Sequence, residues 1–297
     1  MTGEFAIIDH YFKPIADDPL GLSDDASVIS PPPGQQLVVT HDTLNEGIHF
    51  FYNTPANHIA QKLIAVNLSD LASMGASPFA YILSISAPTG TTEQWFKEFA
   101  GGIHTSINLY GGRLIGGDTT STHGPLCVGL TAIGTVPPNQ ALTRSGAKAG
   151  DKLYVSGMIG DAYLGTLYPD TPYFKEKLDI PIPRLTLGQS LLNVATSCTD
   201  ISDGLTASIH HICQASKVGA HILSTAIPIS DKAAATRTPL CQLINGGDDY
   251  ELLFTLPEHS TQPHNTVLIG TMTQDLKIIM DSKPLIISPY EHFTSNY

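Results

Sequence analysis

Asn67–Gly75 reads NLSDLASMG and closes a helical pattern that begins near Pro55. Ile59, Leu63, Val66 and Met74 recur at three- and four-residue spacings, so they share one face of a helix, and Asp70 falls on that face. Ile64 and Leu68 lie on other sides. The helix is therefore apolar nearly all round and predicted to be buried. Gly75 fits a helix stop, and Pro78 forbids a restart close by. A carboxylate inside such a helix must find a cation, collect hydrogen bonds or stay protonated. Two readings of Asp70 stand: a buried acid that caps a neighbouring loop, or a metal ligand.

The chain around this helix has 297 residues, which predicts two domains, each large enough for its own core. Hydrophobic residues make up 42% and charged residues 14%. The formal charge is −12, from 27 acids against 15 bases. That disfavours nonspecific binding to nucleic acid or an anionic membrane, and admits a phosphate substrate only with accompanying cations. Cys127, Cys198, Cys213 and Cys241 form no CxxC pair and read as reduced core residues. The N-terminus, MTGEFAIIDHYF, has acids where a signal peptide needs bases, and no run approaches the ~20 apolar residues of a membrane span. A cytoplasmic protein is expected.

Strand and helix patterns alternate in both halves, so the expected class is α/β or α+β. Strands are predicted at Leu37–Thr40, with Asp42 in the loop that follows, and at Phe79–Ser86. Thr91–Leu109 reads as a helix, and Arg113–Ile115 as a short strand ending in the loop GGDTT, Gly116–Thr120. Pro137 and Pro138 open a connector, which puts the domain boundary at 137/138 and gives domains 1–137 and 138–297. In the second domain, Tyr168–Pro183 is expected to be irregular and Leu185–Ser197 helical. CTDISDGL, Cys198–Leu205, leads into a helix ended by Gly219, and NGGDDYELLFTLP, Asn245–Pro257, is a glycine turn followed by a strand.

Acids gather at these junctions: Asp24, Asp25, Asp42, Asp118, Asp200, Asp203, Asp248 and Asp249, with Asp70 from the helix. Several have Gly, Ser or Thr beside them, which lets backbone and a large anion approach closely. Hard carboxylate oxygens with hydroxyls nearby suit Mg²⁺, which takes a few carboxylates, several waters and substrate phosphates. Turn and N-cap roles are the ordinary alternative for each acid singly. The chain has no GxxxxGKS/T P-loop, no HRD and DFG pair, no GxSxG elbow and no HExxH. A nucleotide here must be held through metal ions and a few donors, of which Arg144 is the best placed.

NLSDLASMGASP, LIGGDTT, ALTRSGAKAGD, DISDGL and GGDDYELLFT, in this order and with DTLNEGIHF and the terminal YEHF, resemble the thiamine-monophosphate kinase family. The resemblance runs from about Gly3 to Phe293. It implies the two-domain fold shared with aminoimidazole ribonucleotide synthetase, an N-terminal domain that pairs across a homodimer, and a C-terminal domain that completes the nucleotide and substrate site. It implies transfer of the ATP γ-phosphoryl group to thiamine monophosphate with several Mg²⁺ ions. Carried over by motif, the metal ligands are Asp24, Thr40, Asp42, Asp70, Asp118, Asp200 and Asp203. The ATP contacts are Tyr110, Gly117, Asp118, Arg144 and Ser202, and the thiamine phosphate contacts are His49, Asp248 and Tyr290.

The chain departs from the family pattern at three points. The usual GDD is Ser23-Asp24-Asp25; His41 stands where a threonine commonly precedes the acid; and GGED is Gly246-Gly247-Asp248-Asp249. The last shortens the substrate-contacting acid by one methylene, about 1.5 Å of reach. The acceptor is a phosphate already ionised near neutral pH, so direct transfer without a phosphoenzyme is expected. Two alternatives remain: another ATP-using enzyme of the same superfamily, or a protein that binds ATP or thiamine phosphate without turnover. Selenide-activating relatives carry a reactive Cys or selenocysteine near the N-terminus, whereas the first cysteine here is Cys127. ADP release separates a kinase from a binding protein.

Overall fold

The computed structural model describes residues 3–287, so the predicted contact Tyr290 lies outside the described residues. The chain divides into two compact units: residues up to Leu71 with Ala76–Asn139, and Ala72–Gly75 with the chain from Gln140 onward.

The first unit begins with α1 (Glu4–Ile7), which continues as a π-helical turn to Phe12. It then runs β1 (Gln36–Asn45), α2 (Ala56–Ser73), β2 (Ser77–Pro88), α3 (Glu93–Tyr110), β3 (Leu114–Thr122) and β4 (Cys127–Val136). Among the described residues its sheet has the order β1-β4-β2-β3, antiparallel except for the β2–β3 pair. Helix α2 matches its sequence reading: Leu63, Ile64, Leu68 and Leu71 are fully buried, and Gly75 at φ +70° closes it. Thr92 caps α3 by accepting from the Trp95 N–H at 3.2 Å. The two helices come close at Gly102, where a Cβ would lie 2.4 Å from the Asn57 carbonyl oxygen of α2.

Two loops of the sequence reading are strand. β1 runs five residues past Thr40, because it pairs with β4 without interruption from Gln36↔Val136 to Asn45↔Cys127. Asp42 therefore sits within a strand. GGDTT is likewise the middle of β3, paired with β2 from Ile82↔Gly116 to Ser86↔Thr120. Gly117 makes that pairing possible: a Cβ there would fall 2.1 Å from the Leu83 carbonyl oxygen.

The second unit contains β5 (Lys152–Val155), α4 (Asp161–Leu167), α5 (Pro172–Asp179), α6 (Leu185–Ser190), β6 (Ser197–Asp200), α7 (Leu205–Ser216) and β7 (Gly219–Ile222). It continues with α8 (Asp231–Ala235), α9 (Leu240–Leu243), β8 (Leu252–Leu256), β9 (Val267–Thr273), β10 (Ile278–Met280) and β11 (Lys283–Pro284). Among the described residues the sheet order is β11-β10-β7-β9-β5-β8-β6. Leu153, Val155, Leu253 and Ile269 of the sheet pack with Ile209 and Ile212 of α7.

Three local expectations change here. Residues 168–183 are not wholly irregular, since Pro172 at a first helical position starts α5. Helix α6 stops at Ser190, well before Ser197, and Asn193 turns the chain at φ 61°. Lys217, at φ 55°, ends α7 in the left-handed region, whereas Gly219 opens β7. A Cβ on Gly219 would meet the Asp275 carbonyl oxygen at 2.1 Å.

Candidate functional site

Thr40 and Asp42 alternate with His41 along β1, so they share one face of the sheet. That face carries α2, because the Thr40 hydroxyl donates to Asp70 Oδ2. The sequence thus sets one hydroxyl and two carboxylates along a strand and the helix beside it. The opposite face carries His41, whose ring nitrogens pair with the hydroxyls of Thr131 at 2.9 Å and Thr43 at 3.2 Å. It is open: Val39 is 61% exposed, Leu37 44% and Ile82 41%, unusual values for apolar strand residues.

Asp118 belongs to this open face. Residues paired across a sheet point the same way, and the register runs Thr43↔Gly129↔Ser84↔Asp118, whereas Asp42 shares its row with Leu130, Leu83 and Gly117. β1 and β3 are the two edges of the sheet. Three strand spacings of ~4.8 Å separate them, roughly 14 Å. Asp42 and Asp118 therefore lie at opposite edges and on opposite faces of one copy.

Beside β3 lies a cavity of about 490 Å³, the size of a small-molecule site. Ile29, Ile82 and Ile133 form its apolar side, and Asp24, Gly117 and Asp118 its polar side. The turn that brings Asp24 there is shaped by Asp18, whose Oδ2 accepts from the N–H groups of Leu20 at 3.0 Å and Leu22 at 2.9 Å. Tyr110 is the last residue of α3, half-buried.

His49 sits in the turn after β1. The Asn45 N–H donates to His49 Nδ1 at 3.0 Å, so the proton of the neutral ring is on Nε2. The His49 N–H donates in turn to the Asn45 carbonyl at 2.9 Å. The ammonium of Lys62, on α2, donates to the His49 carbonyl at 2.9 Å. Lys62 escaped the sequence reading; its one signal was a lysine inside an apolar helical pattern.

In the second unit, Asp200, Ser202, Asp203, Arg144 and Asp248 come together at the end of β6. Ile201 and Ser202 are clipped by the GGDD turn: the Asp248 N–H donates to the Ser202 carbonyl at 2.7 Å and the Tyr250 N–H to the Ile201 carbonyl at 2.9 Å. This turn holds Asp248 at φ 62° and Tyr250 at φ 49°, a conformation that non-glycine residues adopt at a cost and that collects at functional sites. The Cys198 N–H donates to the Thr143 carbonyl at 2.9 Å, which ties the Arg144 segment to β6. Arg144 Nε donates to Thr199 Oγ1 at 3.2 Å. Burial, then the Arg144 and His210 charges, hold His211 below its ordinary pKa, with Asp203 opposing.

Behind the turn, Asp249 Oδ1 accepts from the Gly160 N–H at 2.8 Å, and its Oδ2 is buried without a hydrogen-bond partner. Arg184 takes Glu251 with Nε at 2.7 Å and Nη2 at 2.5 Å. This acid network was not anticipated from the sequence.

Among the described residues no three His, Cys, Asp or Glu side chains gather into a metal cage. The donors nonetheless fit Mg²⁺: it takes one or two carboxylates and completes its shell with water and phosphate oxygens, and Thr40, Asp42 and Asp70 supply hard oxygens of that kind. No helix among the described residues is long and apolar enough to cross a membrane.

The family described as AIR synthase related protein, N-terminal domain, matches residues 23–136. The chain is 37% identical to the thiamine-monophosphate kinase of Escherichia coli strain K12, over 99% of each sequence. Among solved structures, the thiamine-monophosphate kinase of Stenotrophomonas maltophilia K279a superposes with a TM-score of 0.85 at 36% identity, covering 95% of this chain and 98% of the other. AaThiL complexed with AMPPCP and TMP superposes with a TM-score of 0.82 at 26% identity, covering 98% of this chain and 97% of the other.

Proposed function

Since the chain belongs to the thiamine-monophosphate kinase family and so phosphorylates thiamine monophosphate with ATP, we propose that transfer is direct, in line and Mg²⁺-dependent. The observation that carries the reading is the contact of Thr40 with Asp70, one strand position pair from Asp42, in a chain matching kinases over its full length.

The acceptor phosphate is ionised near neutral pH and needs no strong base. The obstacle is repulsion between two polyanions: unit charges at ~4 Å repel by roughly 4 kcal/mol at an effective dielectric near 20. Mg²⁺, when bound, supplies the countercharge and bridges phosphate oxygens. In the first unit Asp24, Thr40, Asp42, Asp70 and Asp118 would hold it, and in the second Asp200 and Asp203. The chain's other groups bind and orient. Arg144 offers guanidinium N–H donors to the nucleotide phosphates, with Gly117, Ser202 and Tyr110 as further contacts. His49 offers its Nε2–H to thiamine monophosphate, and Asp248, with Tyr290, holds the remainder of that substrate. Neither Ser, His nor Cys is assigned as a nucleophile.

The working form in this reading is a homodimer joined through the open face of the first sheet, where Leu37, Val39 and Ile82 are bare. A two-fold axis running along the strands sets β3 of one copy opposite β1 of the other, and so brings the second copy's Asp118 to the side of the sheet edge that holds Thr40 and Asp42. The cytoplasm suits a protein whose cysteines 127, 198, 213 and 241 are all free thiols.

ATP consumption with thiamine monophosphate, with and without Mg²⁺, tests the mechanism on the wild type and on Asp70→Asn. Turnover is expected only with the metal. Labelled phosphate trapped on the protein after a single turnover would refute direct transfer.

A further inference from the structure

Lys62 is the polar residue of α2 that the reaction above leaves unused. It is 1% exposed, and its neighbours Leu63, Ile64 and Val66 are buried as well. A leucine or methionine would fill this place without bringing a charge into it, so the ammonium has a task that packing does not explain. That task is visible in its partner: Lys62 Nζ donates to the carbonyl of His49 at 2.9 Å. The same turn is closed by the Asn45 N–H on the His49 ring at 3.0 Å and the His49 N–H on the Asn45 carbonyl at 2.9 Å.

Asp70 follows eight residues later on the same helix, about 12 Å along the axis and about 80° around it at ~1.5 Å and 3.6 residues per turn. We infer that Lys62 is a positioning residue: α2 serves as a ruler that holds the His49 Nε2–H, and thiamine monophosphate on it, at a set distance from Asp70. The inference rests on the reading of His49 as a substrate contact.

Lys62→Met removes the donor and keeps the bulk. The KM for thiamine monophosphate is expected to rise about tenfold, with kcat and the KM for ATP held within about twofold, the pattern of lost uniform binding. His49→Ala keeps the carbonyl but removes the ring. If Lys62 acts through that ring, the double variant is no worse for thiamine monophosphate than His49→Ala alone. Should Lys62→Met fail to fold, Lys62→Gln, which retains one donor, is taken through the same cycle. Multiplying effects, an unchanged KM for thiamine monophosphate, or an equal loss for both substrates would overturn the inference. The same cycle read by calorimetry on thiamine monophosphate needs no turnover, so it separates failure of Lys62's role from failure of the proposed mechanism.

Discussion

Asp249 and Asp70 are both acids set in apolar surroundings, and they differ in what faces them. Burial pushes the Asp249 carboxyl well above its ordinary 3.8; the Gly160 N–H pulls the other way, and the charges of Glu251, Asp248 and Asp161 add to the rise. A folded-state value above the unfolded one means that folding takes up a proton. The associated stability is whole below 3.8 and drains as the pH climbs toward the raised value. Asp249→Asn keeps the oxygen that Gly160 needs and carries no charge at any pH. Its melting temperature is expected to match the wild type near pH 4 and to exceed it by a few degrees at pH 8. A difference that stays flat across that range would show that the carboxyl is not held protonated. Asp70 instead accepts the Thr40 hydroxyl, which favours its charged form. Asp70→Asn still accepts that bond, so stability should change little, while turnover falls by about a hundredfold or more. Thermal melts beside ATP-consumption rates separate the two effects; an active variant would remove Asp70 from the metal ligands.

At the level of elements, β3 depends on one of its two adjacent glycines far more than on the other. Gly116 has open space where a Cβ would go, whereas at Gly117 the Leu83 carbonyl oxygen stands 2.1 Å away. Gly117→Ala should cost about 1–3 kcal/mol in urea unfolding by forcing β2 and β3 apart, and Gly116→Ala no more than about 0.5 kcal/mol. Equal costs would mean that β3 does not pair as described. Sequence order alone read GGDTT as a loop because glycine and small polar residues are turn formers in isolation. What makes it a strand is the backbone of β2, remote in the chain. The same holds for Asp42, whose strand is prolonged by β4. Helix α2 was legible from Pro55 to Gly75 because its periodicity is local and strong. The motif acids were legible as types, but their distribution over two faces was not. A face is fixed by register, and register comes from partner strands that no single stretch contains. Lys62 was obscured for a related reason, since the carbonyl it serves belongs to a turn that follows another strand.

For the whole molecule, the division of acids between sheet edges makes a demand that a single copy cannot meet. Asp42 and Asp118 face opposite ways across a sheet four strands wide, yet both are proposed to serve one phosphoryl transfer. Stacking two open faces answers this only if the copies exchange acids, each site taking Asp42 from one chain and Asp118 from the other. The native mass is then twice the 31.7 kDa chain. Val39→Lys, which plants a charge in the exposed apolar strip, should yield an inactive monomer by light scattering. A sharper measurement uses two dead variants. Asp42→Asn and Asp118→Asn homodimers each lose every site. Mixed in equal amounts and allowed to exchange subunits, half of the dimers become heterodimers, and each of those holds one site with both acids intact. Recovery to about a quarter of wild-type turnover is expected on that count, in step with subunit exchange followed by a fluorescent label. If exchange proceeds and no activity returns, each chain furnishes its own acids, and the open face must be covered for some reason other than catalysis.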